Sequence, residues 1–280
     1  MVYFCDYNQK LKALIKSKSL IIVVLILGIS TMMHAQEVNS KVNFNAGADF
    51  MSRYIWRGAQ FGGNAPSVQP ALTMSAGNLE IGAWGAFSTA GANIGQEVDL
   101  YISYTFNQEM FTATLSDYFF PAEGVDYNYF EYRNDSTGHI FEAALSFNGT
   151  DKLPLSLLLA VNFYGADASR INDDPNDPEF NKKDGIQYSS YAELGYSTAV
   201  NDVNLDLFMG FNLIAPKKAD SNTGYDGESG FYGKNRGLVN LGVTASKELA
   251  ITDKFSLPIQ ASLITNPMDK KIYFVFGFSL

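Results

Sequence analysis

"KIYFVFGFSL", residues 271–280, alternates without a break. Ile272, Phe274, Phe276, Phe278 and Leu280 occupy every second position, with Tyr273, Val275, Gly277 and Ser279 between them. Successive side chains of an extended chain point to opposite faces, so the five apolar residues form one stripe. Something apolar must cover it. A soluble sheet buries such a stripe in its core and shows the polar face to water. A membrane barrel does the reverse, turning the stripe onto lipid and the polar face into its lumen.

The same period returns along the chain. Over 41–56, Val42, Phe44, Ala46, Ala48, Phe50, Tyr54 and Trp56 share one face, opposite Asn43, Asn45, Asp49, Arg53 and Arg57. Val98, Leu100, Ile102, Tyr104 and Phe106 alternate with Glu97, Asp99, Tyr101, Ser103 and Thr105. Period-two alternation marks strands, and no stretch after residue 41 has the 3.6-residue period of a helix. The pattern predicts twelve strands near 41–56, 67–75, 79–89, 97–106, 110–120, 138–147, 154–164, 185–196, 203–212, 236–246, 256–265 and 271–280. Pro70 and Pro258 fall inside two of them and cannot donate a ladder bond, which predicts late strand starts or bulges. Leu158 and Phe208 have inward parity and predict local apolar packing inside.

Strand length and connections decide between the two architectures. The strands are close to the roughly 9–11 residues that a tilted strand needs to cross a bilayer. Connections after odd strands are mostly long (57–66, 90–96, 121–137, 165–184, 213–235), with 266–270 short; those after even strands are tight (76–78, 107–109, 148–153, 197–202, 247–255). Tight turns on one side and long loops on the other belong to outer-membrane barrels. The expected fold is all-β: a transmembrane antiparallel up-and-down barrel of about 12 strands, closed by pairing of the last strand with the first and covered outside by lipid.

The N-terminus reads as an export signal. Lys10, Lys12, Lys16 and Lys18 precede an apolar run, Leu20–Ile29, and "MHAQ" (33–36) offers cleavage after Ala35. The run is too short for a membrane helix, which needs roughly 20 residues. Residues 1–35 are thus expected to be a signal peptide and 36–280 the barrel. Cys5 leaves with the signal, and the exported chain carries 16 basic against 28 acidic residues, a balance of −12. Such a chain is repelled by phosphate, so nucleic acid is no expected partner.

"SRYIWRG" (52–58), "PSVQP" (66–70), "LEIGAWGAFS" (79–88), "EVDLYISY" (97–104) and "DYFFP" (117–121), in this order, resemble the TorF-type porin family. Arg53 stands where that family often has an acidic residue. The resemblance implies a channel in the bacterial outer membrane. Residues 271–280 also resemble the C-terminal signal by which outer-membrane barrels reach their assembly machinery, although such signals usually end on Phe and this one ends on Leu280. The expected partners are therefore outer-membrane lipid, that machinery, and small hydrophilic solutes or ions.

Parity places Asp49, Glu80, Glu97, Asp99, Glu142, Glu193 and Asp206 on the lumen face with Arg53, Arg57 and Arg236. As pore-lining residues they predict a cation-preferring passive channel. Alternatively, Arg53 and Arg57 pair with carboxylates to make a structural polar core, since twelve strands lie between the filled eight-stranded and the open sixteen-stranded barrel. A non-conducting structural or surface-interaction barrel is the competing function. Tyr54, Trp56, Phe106, Phe111, Phe147, Phe163 and Phe211 are expected in interfacial girdles. "DSNTGYDGE" (220–228) and "NDDPNDPEFNKKDG" (172–185) read as solvated loops rather than calcium sites. No cofactor or metal site is expected. An outer-membrane lipase needs a serine oriented by histidine, and His139, alone after the signal, has Phe141 as its same-face neighbour, so no enzyme is expected.

Overall fold

The computed structural model describes residues 41–90, 95–121 and 128–280; the expected signal peptide lies outside these residues. The strands, in chain order, are β1 (Asn43–Met51), β2 (Tyr54–Trp56), β3 (Ala59–Phe61), β4 (Ser67–Ala76), β5 (Leu79–Ser88), β6 (Glu97–Phe106), β7 (Phe111–Phe119) and β8 (His139–Phe147). They continue with β9 (Leu155–Gly165), β10 (Ser169–Ile171), β11 (Lys183–Ile186), β12 (Ser190–Val200), β13 (Val203–Asn212), β14 (Gly237–Thr252), β15 (Phe255–Asn266) and β16 (Lys271–Ser279). Twelve of them close one antiparallel barrel in the order β1-β16-β15-β14-β13-β12-β9-β8-β7-β6-β5-β4, while β2–β3 and β10–β11 form separate hairpins.

The barrel closes where the terminal stripe predicts. Asp49 pairs with Ser279, Phe50 with Phe278 and Met51 with Gly277. Ala48 and Leu280 exchange backbone hydrogen bonds of 2.9 and 3.0 Å. Closure leaves no edge, which matters because each backbone group left unpaired in hydrocarbon costs several kcal/mol.

Parity of the last strand holds in space. Phe274 is 59% exposed, whereas Tyr273 and Val275 beside it are 5% and 4% exposed. Every barrel strand contributes to the apolar exterior, from Phe44 on β1 through Leu72, Ile102, Leu115, Leu159, Leu207 and Leu263 around the wall. Phe106 stacks on Phe111 at 5.7 Å and Phe111 meets Phe147 at 5.5 Å, an aromatic row at the turn end of the wall.

Three of the five turns are tighter than the pattern predicts, while 107–110 and 148–154 are each one residue longer. β12 runs to Val200 and pairs with Val203, leaving Asn201 and Asp202 as a two-residue loop with Asn201 at a φ of 56°. Pro70 interrupts the β4–β5 ladder, which lapses at Gln69 and Pro70 and resumes in the same register at Ala71. Pro258 sits just before Ile259, where pairing with β16 begins. Leu158 packs on the buried cluster of Ala160, Tyr191 and Val239. Phe208 lies where a Cβ at Gly242 would be, so the glycine makes room for the inward ring.

Candidate functional site

One segment departs from the pattern. The alternation of 41–56 predicts a single strand, but β1 ends at Met51 and the chain bends at Ser52 and Arg53. Tyr54–Trp56 then pairs with Ala59–Phe61, Trp56 opposite Ala59, leaving Arg57-Gly58 as a two-residue turn. Both turn residues have positive φ, 48° and 77°, as a type I′ turn requires. A side chain at Gly58 would overlap the Val239 carbonyl, so this position needs glycine for space as well as for conformation.

The hairpin lies inside the barrel. Tyr54 meets Trp84 of β5 at 5.4 Å and Trp56 meets Tyr118 of β7 at 5.5 Å. Asn266 of β15 donates to the Gly58 carbonyl at 3.2 Å. A single hairpin can touch β5, β7 and β15 of a closed barrel only across its interior. Tyr54 and Trp56 are therefore not girdle residues: the bend after β1 resets the parity and carries both rings inward.

Arg57 is the centre of this arrangement. Its guanidinium makes a two-pronged ion pair with Glu142 of β8, through Nη1 to Oε2 and through Nη2 to Oε1 at 2.9 Å. Tyr118 and Tyr232 donate to the same carboxylate at 2.9 and 3.0 Å. The guanidinium carbon lies 4.4 Å from the Trp56 ring centre and 4.6 Å from that of Tyr191. Planar pairing and stacking are what a guanidinium does and an ammonium does not.

The remaining sequence candidates are dispersed. Asp49 accepts from Ser279 at 2.6 Å across the closing seam. Glu80 accepts from Tyr101 at 2.8 Å, and Asp206 accepts from Ser197 at 2.6 Å, both in the turn half of the barrel. Glu193 is bound by Tyr191 and, at 2.8 Å, by Asn240. Arg53 makes no ion pair among the described residues, and its Nε is buried without a hydrogen bond. Arg236 is an exposed residue of the loop before β14, outside the wall where parity placed it. Glu97 and Asp99 are buried, 2% and 7% exposed, behind the hairpin and not open at the mouth.

The hairpin divides the interior. On one side of Trp56 a cavity of about 300 Å³ is lined by Tyr54, Trp84, Asp99, Tyr101 and Tyr118. On the other, one of about 220 Å³ is lined by Arg57, Phe61, Phe120, Phe231 and Tyr232. Tyr232 and Phe231 come from the long loop 213–236, which also folds inward.

The outer loops are built too. Glu228 accepts from the backbone of Ile171 at 3.2 Å and of Lys217 at 2.8 Å, and from Gln187 at 3.4 Å. Asn181 bonds Gly224 and Asp226. The two acidic loops thus hold each other, and no group of metal-ligating side chains occurs among the described residues. Burial, with Glu228 beside it, raises the Tyr225 phenol. At the opposite rim Lys247 pairs with Asp202 at 2.6 Å, and its hydrogen bond holds that carboxyl below the usual range. His139 faces outward, fully buried under the 128–137 segment, with Asp117 Oδ1 at 2.7 Å and the Tyr129 carbonyl at 2.6 Å.

A sequence profile of Gcw_chp, described as a bacterial protein of unknown function, matches residues 35–221. The chain belongs to the Gcw_chp family. No curated protein matches it. Among solved structures, an outer membrane channel from Pseudomonas putida F1 aligns with 88% of this Gcw_chp chain and 95% of its own, at 14% identity and a TM-score of 0.38.

Proposed function

We propose that this Gcw_chp protein is an outer-membrane barrel that works as a narrow passive channel for small hydrophilic solutes or ions and prefers cations. The observation that carries the reading is the sorting of one set of strands into two solvents. Leu72, Ile102, Leu115 and Phe274 stand on the outside, while Glu80, Glu142, Glu193 and Asp206 turn inward. Lipid satisfies the first set, and a polar lumen suits the second. The TorF-type resemblance over 42–121 supports the same reading.

In this reading β16 also presents the chain to the barrel-assembly machinery. In the same reading the barrel is not a lipase: the His139 ring nitrogens meet Asp117 and the Tyr129 carbonyl rather than a serine hydroxyl. A second reading, a non-conducting structural barrel, is favoured by one observation: the Arg57–Glu142 pair and its aromatic neighbours cross the interior. Reconstitution in a planar bilayer separates the two. Discrete conductance steps support the channel, and a correctly folded barrel silent at every salt concentration supports the structural reading instead.

A further inference from the structure

The cavity beside Trp56 has a composition that solvent does not explain. Five rings face it: Tyr54 and Trp56 from the hairpin, and Trp84, Tyr101 and Tyr118 from the wall. Asp99 is its charged lining residue. Oδ1 of Asp99 is buried without a hydrogen-bond partner, as are both carboxylate oxygens of neighbouring Glu97. No lysine or arginine among the described residues forms an ion pair with either, and Arg57, whose guanidinium stacks on Trp56, is committed to Glu142. Tyr54 lies against Glu97 and the Phe119 backbone against Asp99, but neither brings a positive charge. Burying two adjacent carboxyl groups without a counter-charge is costly, so the site favours a cation.

We propose that this cavity binds an organic ammonium ion, its charge against Asp99 and its alkyl groups against the rings. The lining selects among cations. A hard metal ion takes six or more oxygens, and aromatic faces supply none. Ring faces do attract an alkylammonium, most strongly when Trp and Tyr enclose it away from water. A neutral sugar also stacks on such rings but leaves the unpaired carboxylates unanswered. The inference names a solute class for the channel proposed above and rests on that reading only for how the solute arrives.

The chain has two tryptophans, Trp56 and Trp84, and both line the cavity, so intrinsic fluorescence reports on it. The folded full barrel in detergent is titrated with choline at constant ionic strength. Parallel titrations use 3,3-dimethylbutanol, its uncharged isostere, with glucose and sodium chloride. Choline should give a saturable change at a concentration roughly tenfold or more below that needed for the isostere. Equal binding of both, a saturable response to glucose alone, or a response that sodium chloride reproduces would overturn the site. Asp99→Asn, shown to be folded by its heat-modifiable gel mobility, should weaken choline roughly tenfold. Unchanged choline affinity in that folded variant would also overturn it, and if the variant does not fold the wild-type comparison still decides. A barrel that conducts but ignores choline removes this inference alone. One that binds choline but never conducts removes only the channel reading.

Discussion

Arg57 and Glu142 lie 85 positions apart and meet as a bidentate ion pair inside the barrel, 9% and 2% exposed. This one contact ties a hairpin tip to the opposite wall. Removing one partner of a buried pair strands the other charge and typically costs about 3–5 kcal/mol. Arg57→Ala and Glu142→Ala should each lower the stability of the folded barrel by that order in urea titrations. The double variant should lose less than the sum of the two, because neither charge is then left alone. Arg57→Lys keeps the charge but not the fork and should fall between. Wild-type stability in Arg57→Ala would show that the pair does not pin the hairpin.

The lipid stripe makes a second prediction. Phe276→Arg puts a charge on the outer face, where Arg near the bilayer midplane costs about 2–4 kcal/mol. Gly277 cannot serve as the inward control, because any side chain there would overlap Met51 and the Phe50 carbonyl. Thr73 can: it is half-buried, faces Gly82 across the ladder, and is followed by outward Met74. Thr73→Arg should assemble in lipid vesicles, while Phe276→Arg should fold poorly. Equal yields of both would break the assignment of faces.

The wall was legible because parity and turn length are local properties. Alternation from Phe274 to Leu280, or from Val98 to Phe106, needs no knowledge of distant residues. The hairpin was not legible for two reasons. Alternation runs past Met51 into Tyr54 and Trp56, so the bend at Ser52 and Arg53 leaves no mark in the pattern. The turn itself uses Arg57 at positive φ, where asparagine or glycine would have signalled a type I′ turn. "YIW" and "AQF" flanking Arg57-Gly58 are the signal that could have revealed it. Parity also gives a face and not a position around the barrel, so it could not show that Glu142, and not Glu97 or Asp99, takes Arg57.

The loops predict their own cooperativity. Glu228 receives backbone hydrogen bonds from both long loops, and a bond to a charged group contributes about 1.5–3 kcal/mol. Glu228→Ala should release 166–189 and 213–230 together, raising amide exchange in both without changing it in the barrel strands. Faster exchange confined to one loop would mean that the two do not hold each other.

Sidedness follows from the loops. Cys5 lies in the expected signal, so cysteines placed in the barrel report alone. Asp177→Cys and Asp226→Cys, on the long-loop side, should react with an impermeant maleimide on intact cells. Asn148→Cys and Asp202→Cys, at the tight turns, should react only after lysis. The opposite pattern would invert the barrel.

Charge selectivity is the prediction on which the channel reading depends most. Of the inward arginines, Arg57 is neutralised by Glu142. Glu80 and Asp206 line the turn half, each held by one hydroxyl and by no cation among the described residues. An ion entering from that side meets fixed negative charge between low-dielectric walls, where the field is stronger than in bulk water. A conducting barrel should therefore pass cations in preference to anions, and more so at low salt, since the screening length shrinks to about 10 Å at 0.1 M. Glu80→Gln with Asp206→Asn should lower the cation-to-anion permeability ratio, read from reversal potentials, and leave assembly intact. Arg57→Ala should instead raise that ratio, and raise single-channel conductance with it. Losing the hairpin's anchor widens the path and raises conductance, and freeing Glu142 adds a negative charge and raises cation preference. Anion preference in the wild type, or a ratio that neither variant moves, would remove the interior carboxylates from the permeation mechanism.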